Sequence, residues 1–179
     1  MRYNGAMASI GHVAVGMAAA RSYTGKTEST ATLLTRMAAW SVLSLLPDAD
    51  VIGFHFGIRY ANQFGHRGAS HSLVFCFALA IVLAISAAPF GARVWRLGLY
   101  LAIVLVSHPL LDTLTDGGLG CALYWPFETR RHFAPWRPIP VAPIGAAFFS
   151  ERGMRVALVE LLQFAVLFGY ALWPRRSRT

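Results

Sequence analysis

Ser107-His-Pro-Leu-Leu-Asp-Thr-Leu-Thr-Asp-Gly-Gly118 closes an apolar run that begins near Val94. Inside that run sit His108, Asp112 and Asp116, spaced four apart. Residues at this spacing share one face of a helix, so the three side chains are expected to form a polar stripe ended by Gly117 and Gly118. Ionisable groups are costly in a membrane-embedded helix and are kept there mainly for function. A His and an Asp at i and i+4 can offer an imidazole nitrogen and a carboxylate oxygen to one metal ion. The competing reading is a capped helix end with His108 hydrogen-bonded in the bundle.

The composition points the same way. The chain has 179 residues, 56% of them hydrophobic and 13% charged, and its mean hydropathy is +0.50. A soluble domain carries about twice that charged fraction. One polytopic, all-α membrane domain over residues 1–179 is therefore expected. The net charge of +8 is spread through short interhelical segments and not gathered in a stripe, so no nucleic-acid partner is expected. Arginines beside a bilayer meet anionic headgroups instead, which makes membrane lipids the expected partner. Cys76 and Cys121 form neither a disulfide framework nor a thiolate metal site.

Outward from the central stretch, apolar runs predict helices over about 7–20, 32–46, 71–88, 94–116 and 155–173. In the first, His12, Gly16 and Ala20 lie on one small-residue face suited to close helix approach. A signal peptide ending in Ala18-Ala19-Ala20 is the rival for this segment, and Gly11 and His12 interrupt its apolar core. Pro47 ends the second helix in Leu46-Pro-Asp-Ala-Asp50, and Pro109 is expected to kink the fourth. Helices three to five are long enough to span, given about 20 residues per crossing. A long irregular segment, 117–153, precedes the last helix and carries aromatics and arginines suited to a membrane interface.

If the five helices alternate in direction, His12, Asp48, Asp50, His66, His71, His108 and Asp112 all fall in one layer. Four separate pieces of sequence deliver His or Asp there, and this convergence points to a metal site. In Gly65-His-Arg-Gly-Ala-Ser-His-Ser72, one histidine is a candidate ligand and the other a candidate proton carrier. Ser70 or Ser72 is expected to cap helix three, and Arg67 is a candidate phosphate clamp. Asp48 and Asp50 have an odd spacing that leaves only one pointing inward. Glu160 interrupts helix five, and an ion pair with a neighbouring arginine is the expected reason. His55 and His132 read as loop residues.

His12, Leu46-Pro-Asp-Ala-Asp50, Gly65-His-Arg-Gly-Ala-Ser-His-Ser72, Ser107-His-Pro-Leu-Leu-Asp112, Thr115-Asp-Gly-Gly118, Trp125-Pro-Phe127 and Pro135-Trp-Arg-Pro-Ile-Pro140 together resemble the YdjM family. These are bacterial inner-membrane proteins described as metal-dependent hydrolases. A more distant similarity is to the zinc-dependent phospholipase C and single-strand nuclease superfamily, which uses His, Asp, His and then His-x-x-x-Asp in that order. That likeness implies ligands at His12, Asp48 or Asp50, His66 or His71, His108 and Asp112. The superfamily's later His and His-x-x-x-Glu have no match here, so one or two ions are expected in place of three.

The resulting expectation is a membrane-bound, metal-dependent hydrolase acting on a phosphoester in a lipid or lipid-linked substrate. A non-catalytic protein with a structural or regulatory metal site is the alternative. Metal ligands are taken as His12, Asp50, His71, His108 and Asp112, with a divalent ion, zinc first. Asp48 is the general base, His66 handles protons and Arg67 neutralises phosphate charge. The basic tail Arg175-Arg-Ser-Arg178 favours the cytoplasm, which places the site on the non-cytoplasmic side.

Overall fold

The fold is seen in a computed structural model, which describes residues 6–7, 10–25, 28–143 and 145–174. The basic tail, residues 175–178, lies outside them. The described residues form an all-helical bundle of α1 (Ile10–Tyr23), α2 (Thr30–Ser44), α3 (Leu73–Ser86), α4 (Val94–Thr113), α5 (Glu151–Gln163) and α6 (Ala165–Leu172). Its only sheet is a two-residue pairing of β1 (Ala6–Met7) with β2 (Ala142–Pro143), antiparallel, with Ala6 opposite Pro143.

Serines start three of the helices. Ser29, Ser72 and Ser150 each accept a hydrogen bond from a backbone N–H three residues on, supplying a partner that the first turn lacks. The expected cap at Ser72 is thus present. The small-residue face of α1 packs on α2. A Cβ on Gly16 would lie 2.6 Å from the Trp40 carbonyl oxygen, so only glycine permits this approach. One apolar cluster joins α1, α2, α4 and α6 through Ala20, Met37, Trp40, Val104 and Ala171. A second joins α3 to α4 through Cys76, Ala80, Ala84, Leu101 and Leu105.

Apolar side chains also face outward. Phe77, Ile81, Val82 and Ile85 of α3, and Leu99 and Ile103 of α4, are exposed. Only 28% of the apolar window of α4 is buried within the protein. An outer surface this apolar matches lipid.

The spans differ from expectation. Of the described helices, only α4, with 20 residues, is long and apolar enough to cross a membrane; there are up to three spans if each bent pair counts as one. Helix three was expected to span, but α3 has 14 residues, about 21 Å at 1.5 Å per residue. The expected fifth helix is two, α5 and α6, bent by 67°. The break falls at Phe164, whose ring packs where a Gly11 side chain would stand, 2.6 Å from that Cβ position. The second expected helix ends at Ser44 and continues as a 3-10 run, Leu46–Phe56, at 48° to α2. Pro109 lies inside α4, which continues through it.

Candidate metal centre

Four pieces of chain meet where α2 and α4 end and α1 and α3 begin. His108 and Asp112 occupy the last turns of α4. Asp48 and Asp50 come from the 3-10 run after α2. His71 ends a short 3-10 turn, Ala69–His71, just before α3, and His12 is in the first turn of α1. His12, Asp48, His66, Arg67, His71, His108 and Asp112 are all buried.

The 3-10 geometry separates the two aspartates. At three residues per turn, positions two apart point about 120° apart. Asp48 joins His108 and Asp112, while Asp50 lies on the other side of His71, where it forms a second possible donor group with His66 and His71. Asp48, His71, His108 and Asp112 each offer one ligand atom to a common group. His71 Nε2 lies 3.3 Å from Asp48 Oδ1, 3.5 Å from Asp112 Oδ2 and 3.1 Å from His108 Nε2. His108 Nε2 lies 3.4 Å from Asp48 Oδ1 and 3.9 Å from Asp112 Oδ2. Donors about 2.0–2.1 Å from a tetrahedral ion stand roughly 3.3–3.4 Å apart. Four of these five distances lie within about 0.3 Å of that edge, and the fifth, His108 to Asp112, is longer at 3.9 Å.

The outer partners set the tautomers. His108 Nδ1 lies 2.7 Å from the Ser44 carbonyl oxygen, which can only accept, so Nδ1 carries the proton and Nε2 turns its lone pair inward. Asp50 does the same for two more rings: Oδ1 is 2.7 Å from His66 Nδ1 and Oδ2 is 3.1 Å from His71 Nδ1. Asp50 Oδ2 also accepts from Ser70 Oγ and from the Arg67 backbone N–H. A carboxylate behind a histidine is the usual outer support of a metal-binding imidazole.

With both inward lone pairs 3.1 Å apart, His71 and His108 need positive charge between them. A single proton can hold that one contact. Burial lowers the pKa of His71, but the carboxylates of Asp112, Asp48 and Asp50 outweigh burial and hold it well above the ordinary histidine range. A proton on His71 faces Asp48 Oδ1 at 3.3 Å and Asp112 Oδ2 at 3.5 Å, yet the four oxygens of the two carboxylates are buried and accept no well-formed hydrogen bond among the described residues. Buried carboxylate oxygens without partners are costly, and a divalent ion serves both carboxylates at once. The residues present fit a metal.

His12 stacks on His108, ring centroids 3.8 Å apart, and its Nε2 is 3.4 Å from Asp112 Oδ1. Glu160 sets its place: Oε2 accepts from the backbone N–H groups of Ile10 and Gly11 at 2.9 and 3.1 Å. The expected ion pair of Glu160 with an arginine is thereby corrected to a bond with the open N–H groups of α1.

Residues 7–177 match the YdjM inner membrane protein family. The chain belongs to that family. It is also 43% identical over 141 residues to the inner membrane protein YbcI of Escherichia coli (strain K12), an overlap of 75% of this chain and 82% of the relative. No solved structure matches, so the distant similarity to zinc-dependent phospholipase C gains no structural support. Membership in this family places the chain at the bacterial inner membrane.

Two expected members stand elsewhere. Asp116 leaves the stripe because α4 ends at Thr113. The Thr115 hydroxyl bonds the Asp112 carbonyl, and Asp116 Oδ1 accepts from Val141 N. Arg67 is fully buried, with Nε 2.9 Å from Asp112 Oδ2 but off the hydrogen-bond line, and Nη1 donating to Thr115 Oγ1 and the Gly117 carbonyl. It adopts a left-handed backbone, φ 61°, where a non-glycine residue is uncommon. Arg131, unremarked in the sequence, ties the loop together by donating to the carbonyls of Tyr60, Asn62 and His66.

Proposed function

We propose that this chain is a multi-pass inner-membrane, metal-dependent hydrolase acting on a phosphoester in a lipid or lipid-linked substrate. The observation that carries the metal is the donor set of Asp48, His71, His108 and Asp112. Two inward lone pairs and two carboxylates without hydrogen bonds converge there, with most of their separations near the edge of a ligand tetrahedron. We assign Asp48 the ligand position expected for Asp50, and Asp50 the orientation of His66 and His71. His12, expected as a ligand, is placed beside the four donors, with its Nε2 3.4 Å from Asp112 Oδ1. When bound, a divalent ion, zinc first, supplies a water of lowered pKa and polarises a phosphoryl oxygen. His66, with Nδ1 on Asp50 and a buried Nε2 free of partners, is left to take up a proton. Arg67 balances the charge of Asp112 and keeps Nη2 unpaired for a substrate oxygen.

Support for the substrate class comes from the lipid-facing surface of α3 and α4 and from the arginines at the site. A second reading has a specific observation behind it. All four donors have side chains at most 5% exposed, and four protein ligands are the pattern of a closed, structural ion. One experiment separates the two: full-length protein purified in detergent is screened for phosphoester hydrolysis with and without chelator, beside its melting temperature. Chelator-sensitive turnover establishes the hydrolase. A metal-replete protein that turns over nothing in the screen but melts much lower after chelation has a structural ion.

A further inference from the structure

Beside the centre lies a cradle that the metal does not occupy. The Tyr60 hydroxyl is buried, in a residue only 4% exposed, and has no hydrogen-bond partner among the described residues. Arg67 Nη2 is buried and equally without one. Between Tyr60 and the guanidinium lies Gly118, at φ 85°; a Cβ there would stand 2.9 Å from Tyr60 Oη and 3.0 Å from Arg67 Nη1. Any side chain at 118 would collide with both groups, so glycine is what lets the backbone come up against the phenol and the guanidinium. Arg131 adds a second positive charge, its guanidinium 5.5 Å from the centre of the Tyr60 ring. A buried hydroxyl and a buried guanidinium arm with nothing to donate to are each costly unless something accepts from them. Arg67 Nη2 can only donate and the Tyr60 hydroxyl can donate, the two guanidiniums of Arg67 and Arg131 stand beside the single carboxylate of Asp112, and the acceptor that fits is an anionic oxygen.

We propose that Tyr60 and Arg67 form a phosphate subsite adjoining the metal centre, with Tyr60 Oη donating to a non-bridging oxygen. The subsite rests on the phosphoester reading for its ligand class and adds a residue that no part of that reading used. Tyr60 lies outside the Gly65–Ser72 and Ser107–Gly118 stretches, and the fold alone brings it to Gly118.

Tyr60→Phe removes the hydroxyl and keeps the ring that packs against His66, at 5.1 Å and edge-on. Titration calorimetry on the full-length protein in detergent compares inorganic phosphate with dihexanoyl phosphatidic acid, on wild type and Tyr60→Phe, with metal content and melting temperature measured on each. The expected result is that at least one of the two binds the wild type. Tyr60→Phe then weakens it about tenfold or more, the loss of one hydrogen bond to a charged group. Metal content stays the same, and the ligand-free melting temperature is unchanged or higher because an unmet buried hydroxyl is gone. Binding of the lipid alone identifies a headgroup subsite, and binding of both a general phosphate subsite. Wild type binding neither anion, equal binding by Tyr60→Phe, or a Tyr60→Phe protein that melts lower, loses metal or fails to fold would each overturn the subsite. Chelator-sensitive hydrolysis with no Tyr60-dependent binding removes the subsite alone. Tyr60-dependent binding in a protein with no hydrolysis removes the hydrolase alone.

Discussion

Replacing Asp50 with asparagine tests the geometry of the centre without touching the proposed ligands. Its carboxylate accepts three hydrogen bonds, from His66 Nδ1 on Oδ1 and from Ser70 Oγ and the Arg67 N–H on Oδ2, and Oδ2 also stands 3.1 Å from His71 Nδ1, which is 3.0 Å from Ser70 Oγ. Asparagine keeps one acceptor oxygen and turns an NH2 toward the other side, so at least one histidine faces a donor with its own Nδ1–H. That ring loses the bond that fixes its tautomer, and His71 is the one that matters for the four-donor group. Loss of such an outer partner typically costs about 10–100-fold in metal affinity, which is about 1.4–2.8 kcal/mol. Competition for zinc against a chromophoric chelator, in detergent, reads this range directly. Unchanged affinity in Asp50→Asn would show that Asp50 orients nothing. Complete loss of the ion, equal to that in His108→Ala, would make Asp50 itself a ligand and reverse the roles assigned to the two aspartates.

Other perturbations have defined outcomes. Arg67→Lys cannot reach Asp112, Thr115 and Gly117 together, and should lower stability by about 2–4 kcal/mol, seen as an earlier midpoint in chemical denaturation; an unchanged midpoint would leave Arg67 outside the structural core. Gly16→Val drives a side chain into the Trp40 carbonyl and should cost about 1–3 kcal/mol by the same assay. Glu160→Ala strips two N–H groups at the start of α1 of their acceptor, and should lower both melting temperature and zinc affinity through His12; Glu160→Gln, which keeps an acceptor oxygen, should recover most of both. Cysteines at Asn62 and Ser177 should be labelled from opposite sides of the membrane, and labelling from one side would refute a site on the non-cytoplasmic face.

Much of this fold was legible because membrane helices advertise themselves by hydropathy. The starts of α3 and α4 fall within about two residues of their expected places, and the i,i+4 pair His108–Asp112 stands where helical spacing put it. The gathering of His12, Asp48, His71, His108 and Asp112 in one layer followed from which helix end each occupies. What escaped has local physical causes. Nothing in Gln163-Phe164-Ala165 marks a break, because it carries no Gly or Pro; the break is seen only in the fold, where Phe164 stands against Gly11. The choice between Asp48 and Asp50 turns on a 3-10 run, whose period a short sequence with one proline does not reveal. Asp116 kept helical spacing on paper, but the Thr115 side chain and the Val141 backbone take the chain out of the helix first. Tyr60 gave no signal, since its place depends on a loop tied by Arg131 from 71 residues away in sequence.

The central claim is that the His and Asp side chains gathered at the ends of α1 to α4 hold a metal ion. Elemental analysis of the full-length protein, purified in detergent without chelator, measures this most directly when run beside His108→Ala and Asp112→Ala. The account predicts a stoichiometric divalent transition metal, zinc first, in the wild type and loss of most of it in both variants, with helical content retained. A wild type without metal after incubation with zinc, or variants that keep the full complement, would contradict it.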